Sequence, residues 1–124
     1  MNVFKSSVVI TSCLMLLACA NSPVVDKKAV FAQAPLTDQQ INTLIVGHKF
    51  AAQVKTGRHT GWYEVNIRSN GKLIIDDGRF TRRWTASGNQ LCITPCFKFY
   101  KNPEAENQYF AVENDEIDVL LKLR

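Results

Sequence analysis

From Lys49 to Leu123 the sequence alternates apolar and polar residues in short runs, and each run ends in residues that turn a chain. Trp62 to Arg68 shows this most clearly, with Tyr63, Val65 and Ile67 on one face and Glu64, Asn66 and Arg68 on the other. A period of two is the signature of a half-buried strand. Asn70-Gly71 follows, a dipeptide favoured in two-residue hairpins because both positions tolerate positive φ. Lys72 to Asp76 returns, Asp76-Asp77-Gly78 turns, Arg79 to Thr85 follows, and Ser87-Gly88-Asn89 turns again. Lys49 to Val54, Leu91 to Thr94, Phe97 to Lys101, Gln108 to Val112 and Ile117 to Leu123 bring the set to about eight short strands. The pattern predicts a mainly β fold, a small antiparallel barrel or sandwich. An eight-stranded meander can close on itself, which removes exposed edges and leaves room for side chains or one small ligand.

One N-terminal helix precedes the strands. Thr37 and Gln40 have the T-x-x-Q spacing of a capping box, and Leu36 and Ile41 flank it as a hydrophobic staple. Ile41, Leu44 and Ile45 form an apolar stripe, and Gly47 suits the left-handed position that ends a helix. So short a helix is marginal alone, so its stripe must pack on the strands.

The first residues have a different character. Lys5 is followed by an apolar run from Val8 to Ala18, 11 residues long, about half of the roughly 20 that cross a bilayer as helix. A short basic segment followed by a short apolar one is the layout of a secretory signal peptide. The run ends in Leu16-Leu17-Ala18-Cys19, which resembles the lipobox of bacterial lipoproteins. That resemblance implies cleavage before Cys19, a diacylglycerol on its thiol, further acylation of the new amine with palmitate-type chains, and recognition of Leu16 and Ala18 by the peptidase. The competing expectation is plain secretion, with cleavage after Ala18 or Ala20. Several acyl chains anchor stably where one binds only marginally. Ala20 stands where, by the same resemblance, an Asp would favour inner-membrane retention, so the expected location is the cell envelope at the outer membrane, facing the periplasm or the cell surface.

The expected organisation is therefore a signal peptide over 1–18, a lipidated flexible tether over 19–35 and a β-rich domain over 36–124. In the tether, Val24, Val25, Val30 and Phe31 are the residues able to dock on something. Residues 36–100 also resemble a loose group of small exported proteobacterial proteins that have no established activity. The likeness rests on the capped helix and Gly47, an aromatic-rich strand, a hairpin, Trp84 and the Leu91-Cys92 pair answered by a second Cys. The chain departs from that group in placing its cysteines only four apart. The resemblance implies a small β-rich fold and no chemistry.

With Cys13 removed in the signal and Cys19 acylated, Cys92 and Cys96 remain, in a compartment where disulfides persist. Pro95 would bend the chain to bring their α-carbons to the roughly 4.4–6.8 Å a bridge requires. Redox catalysis expects C-x-x-C near a βαβ unit, and metal binding with His48 or His59 would lack a recognisable ligand spacing. His48 adjoins Gly47 at the negative end of the helix, and His59 lies in the loop Lys55 to Gly61. No G-x-S-x-G or H-E-x-x-H occurs, and Asp76-Asp77 before Gly78 reads as a turn rather than a pair of catalytic acids. No enzymatic activity, cofactor or metal is expected.

The net charge of +4 is too small to indicate a nucleic-acid partner. Its distribution is uneven: residues 48–101 hold ten Lys/Arg and three acids, whereas residues 102–124 hold six acids and two basic residues. Either opposite charges neighbour each other on a solvated surface, or a basic face awaits an acidic partner. Arg82 breaks its strand's pattern by sharing a face with Phe80 and Trp84. A bulge or stacking on Trp84 would resolve this; otherwise Arg82 rims a pocket and contacts an anion. The expected function is a non-catalytic binding or interaction role for a membrane-anchored lipoprotein. Its alternatives are a small-ligand carrier of lipocalin-like shape, with Phe80, Arg82, Trp84, Phe97 and Phe99 near the cavity, and an inhibitor or exclusion factor acting on another protein. Arg58 and His59, with the rest of the loop from Lys55 to Trp62, would serve the latter.

Overall fold

The computed structural model describes residues 25–124. The expected signal peptide, the lipobox-like run Leu16 to Cys19 and the start of the expected tether lie outside the described residues. Strands β1 (Lys49–Val54), β2 (Gly61–Ile67), β3 (Lys72–Ile75) and β4 (Phe80–Arg83) are followed by β5 (Thr85–Ser87), β6 (Gln90–Cys92), β7 (Cys96–Lys101), β8 (Gln108–Glu113) and β9 (Glu116–Leu123). They form one antiparallel sheet in the order β4-β3-β2-β1-β9-β8-β7-β6-β5. The sheet's two end strands, β4 and β5, are consecutive in the chain and separated only by Trp84. The ring is thus a nearly closed barrel, one of the two mainly β architectures that the alternation predicts.

The expected strand Arg79 to Thr85 is two strands because it changes partner: β4 pairs with β3 up to Lys72↔Arg83, and β5 pairs with β6 from Thr85↔Cys92. Trp84 fills the corner. Its backbone N–H donates to Gly71 O and its indole Nε1–H to Arg68 O, each at 2.9 Å. The turn before β3 also differs from expectation. Arg68 accepts from Gly71 N–H at 3.2 Å, and only Gly71, not Asn70, has positive φ (86°). This is a three-residue loop with a glycine bulge. Positive φ at both central residues occurs instead at Gly88-Asn89, at 63° and 60°, and at Asn114-Asp115, at 51° and 63°.

The capping box forms: Thr37 Oγ1 accepts from Gln40 N–H at 3.2 Å and Gln40 Oε1 from Thr37 N–H at 2.9 Å. The helix over Asp38–Gln40 then widens into a π turn over Ile41–Ile45, closed by Val46 N–H donating to Ile41 O at 3.0 Å. Gly47, with φ of 88°, ends it. Ile41 and Ile45 are fully buried and join Leu36, Phe50, Ile67 and Tyr109 in the barrel core. The helix is therefore a plug across one end of the barrel.

A second apolar cluster lies on the outside. Strand β8 is buried on both faces, with Tyr109 and Ala111 in the inner core and Phe110 and Val112 in the outer cluster. Strand β9 switches face by a bulge: Ala111 pairs with Val119 but Val112 with Ile117, so Asp118 is the extra residue and Ile117 joins the outer cluster. Helix α1 (Lys27–Phe31), N-capped by Asp26, covers this cluster. Val30 is fully buried there, and Phe31 meets Tyr100 edge to face at 5.2 Å. Gln33 Nε2 then donates to Lys101 O at 2.8 Å and Leu36 N–H to Phe99 O at 2.8 Å. From Val25 onward the segment expected to be a flexible tether is docked, because Val25, Val30 and Phe31 shield apolar sheet surface that would otherwise face water.

Candidate functional site

The helix plugs one end of the barrel and the other end is open. The open rim is made by the β1–β2 loop, the turn Asp76–Gly78, the β6–β7 hairpin and the β8–β9 hairpin. Behind it lies a cavity of about 410 Å³, within the roughly 300–1,000 Å³ usual for small-ligand sites. Its floor is apolar and buried: Ile67, Leu73, Leu91, Phe99, Ala111 and Leu121. Its upper wall carries Val54, Val65, Ile75, Ile93, Phe97 and Val119. Polar side chains enter only at the rim, from His59, Tyr63 and Arg82.

The alternation of each strand sets this lining. Inward positions Tyr63, Val65 and Ile67 on β2, Leu73 and Ile75 on β3, and Phe97 and Phe99 on β7 all face the cavity. Phe80 and Arg82 on β4 do so as well, and Phe80 remains 54% exposed because it stands at the open mouth. Tyr63 is fixed at the wall by donating its hydroxyl hydrogen to His59 O at 3.0 Å.

Arg82 rims the cavity without stacking on Trp84 or sitting in a bulge. Its Nη2 donates to Ile93 O at 3.1 Å, with a longer contact to Thr94 O at 3.5 Å. Trp84 packs against the core and is not part of the cavity wall. Arg58 is exposed in the β1–β2 loop and lies outside the lining, while its neighbour His59 is inside it. His48 caps the plug helix, its Nε2 lying 3.0 Å from Thr43 O.

Cys92 and Cys96 form a disulfide across the β6–β7 hairpin at the rim. Their α-carbons are 3.8 Å apart, closer than expected, because the two residues face each other as the last cross-strand pair. The bridge closes the segment that supplies Ile93 and flanks Phe97, both on the cavity wall. Also at the rim, Glu113 is held above the usual carboxylate range, first by its hydrogen bond with the Asp118 side chain and then by desolvation and the Asp118 charge.

Sequence reasoning identified Phe80, Arg82, Phe97 and Phe99 but missed Ile93 and Val119, which lie at a hairpin and beside a bulge where no period of two can be followed. Among the described residues no group of His, Cys, Asp or Glu side chains has the geometry to hold a metal ion. The arrangement offers an apolar chamber with His59, Tyr63 and Arg82 at its rim. No protein family, curated protein or solved structure matches the chain.

Proposed function

We propose that the protein is a non-catalytic binding module whose barrel interior takes up a small apolar ligand, and that Cys19 ties it to an envelope membrane. The observation that carries the ligand reading is the open chamber of about 410 Å³ whose deep lining is wholly apolar. Water in such a chamber finds few hydrogen-bond partners, so an apolar occupant replaces it favourably. Phe80, exposed at the mouth, is the kind of surface such an occupant would cover.

The test is uptake of a neutral environment-sensitive dye by the mature acylated protein, with lumen-filling variants as controls. Ala111→Phe and the milder Ala52→Leu project new side chains into the cavity and should abolish dye uptake without unfolding the barrel. Dye binding that both folded variants retain would count against the lumen as the site. Mass analysis of the mature N-terminus tests the anchor: acylated Cys19 is expected, and an unmodified Ala20 terminus would refute it.

A second reading has its own observation. Trp62 is 53% exposed on the outer surface, with Lys122 Nζ over its ring at 5.2 Å. Exposed Trp beside a basic loop, including Arg58, suits contact with an acidic envelope protein, the inhibitor or exclusion-factor role. Crosslinking in the native envelope, lost on Trp62→Ala, would support it.

A further inference from the structure

The chamber's polarity runs in one direction only. Below the rim no side chain offers a donor or acceptor, so the buried part of an occupant carries no polar atoms. At the rim the one permanently charged lining residue is Arg82, and no carboxylate lines the chamber. The ion pairs among the described residues, Lys27–Glu116 at 3.7 Å and Arg124–Glu64 at 3.0 Å, leave Arg82 without an acidic partner. The carbonyls of Ile93 and Thr94 engage only its Nη2, so the Nε and Nη1 donors remain for an anion presented at the mouth.

The depth limits the apolar part. On β2 the lining runs from Tyr63 at the rim to Ile67 at the floor, about 13 Å along a strand at roughly 3.3 Å per residue. With barrel strands tilted by about 35–45°, that is on the order of 10 Å of depth. A saturated chain advances roughly 1.25 Å per carbon, given C–C bonds of about 1.5 Å, so about eight carbons reach the floor. Resting on the lumen reading proposed above, we infer that the occupant is a single-chain amphiphile of medium length, its tail in the chamber and its anionic head, carboxylate or phosphate, on Arg82. A free fatty acid and a phosphate-headed single-chain lipid share this chemistry.

Calorimetric titration of the full mature protein with decanoate, decyl phosphate, decanol and decyltrimethylammonium tests the inference. The expected result is that at least one anion binds roughly tenfold or more tightly than decanol, the gain typical of a charge-assisted hydrogen bond, with the cation weakest. Which anion binds tighter identifies the source. Arg82→Gln should bring the anion down to the affinity of decanol, Arg82→Lys should keep part of the preference, and added salt should weaken the wild-type preference. If decanol matches both anions, or if the preference survives Arg82→Gln, the assignment of the head to Arg82 is wrong while the apolar lumen stands. If none of the four probes binds, both the head assignment and the lumen reading fall.

Discussion

Asp38 and Asn89 hold each other by reciprocal bonds: the Asp38 backbone N–H donates to Asn89 Oδ1 and the Asn89 backbone N–H to Asp38 Oδ1, both at 2.8 Å. They are 51 residues apart, and together they fasten the start of the plug helix to the β5–β6 turn. Asn89 has φ of 60°, a conformation its short amide side chain tolerates well. Asn89→Gly keeps the turn but loses the bond, whereas Asn89→Ala loses the bond and adds strain. We expect a stability loss of about 1 kcal/mol for Gly and more for Ala, read by chemical denaturation. A double-mutant cycle with Asp38→Ala should show coupling, and additive losses would disprove the clasp.

Docking of α1 rests on Val30. Val30→Ala should cost about 1–3 kcal/mol, because a fully buried side chain is truncated, and should open the Lys27-Lys28 bonds to trypsin. Lys27→Ala removes only an exposed ion pair with Glu116 and should change stability by less than about 1 kcal/mol. Equal effects from the two would mean that charge, not burial, holds the segment.

The bridge at the rim closes a very short loop, so its chain-entropy contribution is below the ~3 kcal/mol of a 15-residue loop. Its larger effect is on the wall, since Ile93 and Phe97 lie beside it. Replacing both Cys92 and Cys96 by Ser should lower the melting temperature slightly and weaken dye uptake clearly. Unchanged uptake in the folded double variant would separate the disulfide from the chamber.

Glu113 hydrogen-bonds to Asp118, whose Oδ1 also accepts from Thr56 Oγ1 at 2.7 Å. Because the folded-state pKa of Glu113 is raised, the folded protein binds more protons than the unfolded chain between the ordinary glutamate value and the raised one. Stability from this group is therefore present at low pH and falls as pH rises through that window. Glu113→Gln keeps the hydrogen-bonding shape without the charge and should flatten this part of a melting-temperature–pH profile. A variant profile parallel to wild type throughout would rule out the effect.

Much of the barrel was legible because its determinants are local. Thr37 and Gln40 are three residues apart and form their box from the sequence alone, and the alternation of Tyr63, Val65 and Ile67 fixes which face lines the chamber. Arg82 was legible as a misfit, and it stands at the rim as a misfit does. The partner change at Trp84 was not, since the alternation of Phe80, Arg82 and Trp84 continues through it and only the distant strands β3 and β6 define the corner. Helix α1 is short and buries one residue completely, too little for a periodic signal. A hint was present on the other side of the contact: Tyr109-Phe110-Ala111-Val112 is apolar at both parities, so its outer face needed a cover.

The pairing of β1 with β9 places Ala52 opposite Leu121. The first strand to leave the ribosome must therefore wait for the last, and no partial length of chain encloses the chamber. A product ending before Glu116 would present β1 and β8 as two bare edges of mostly apolar sheet, surfaces that invite pairing with other chains. Such long-range closure also slows folding, which leaves an incomplete chain pliable until its final residues are free.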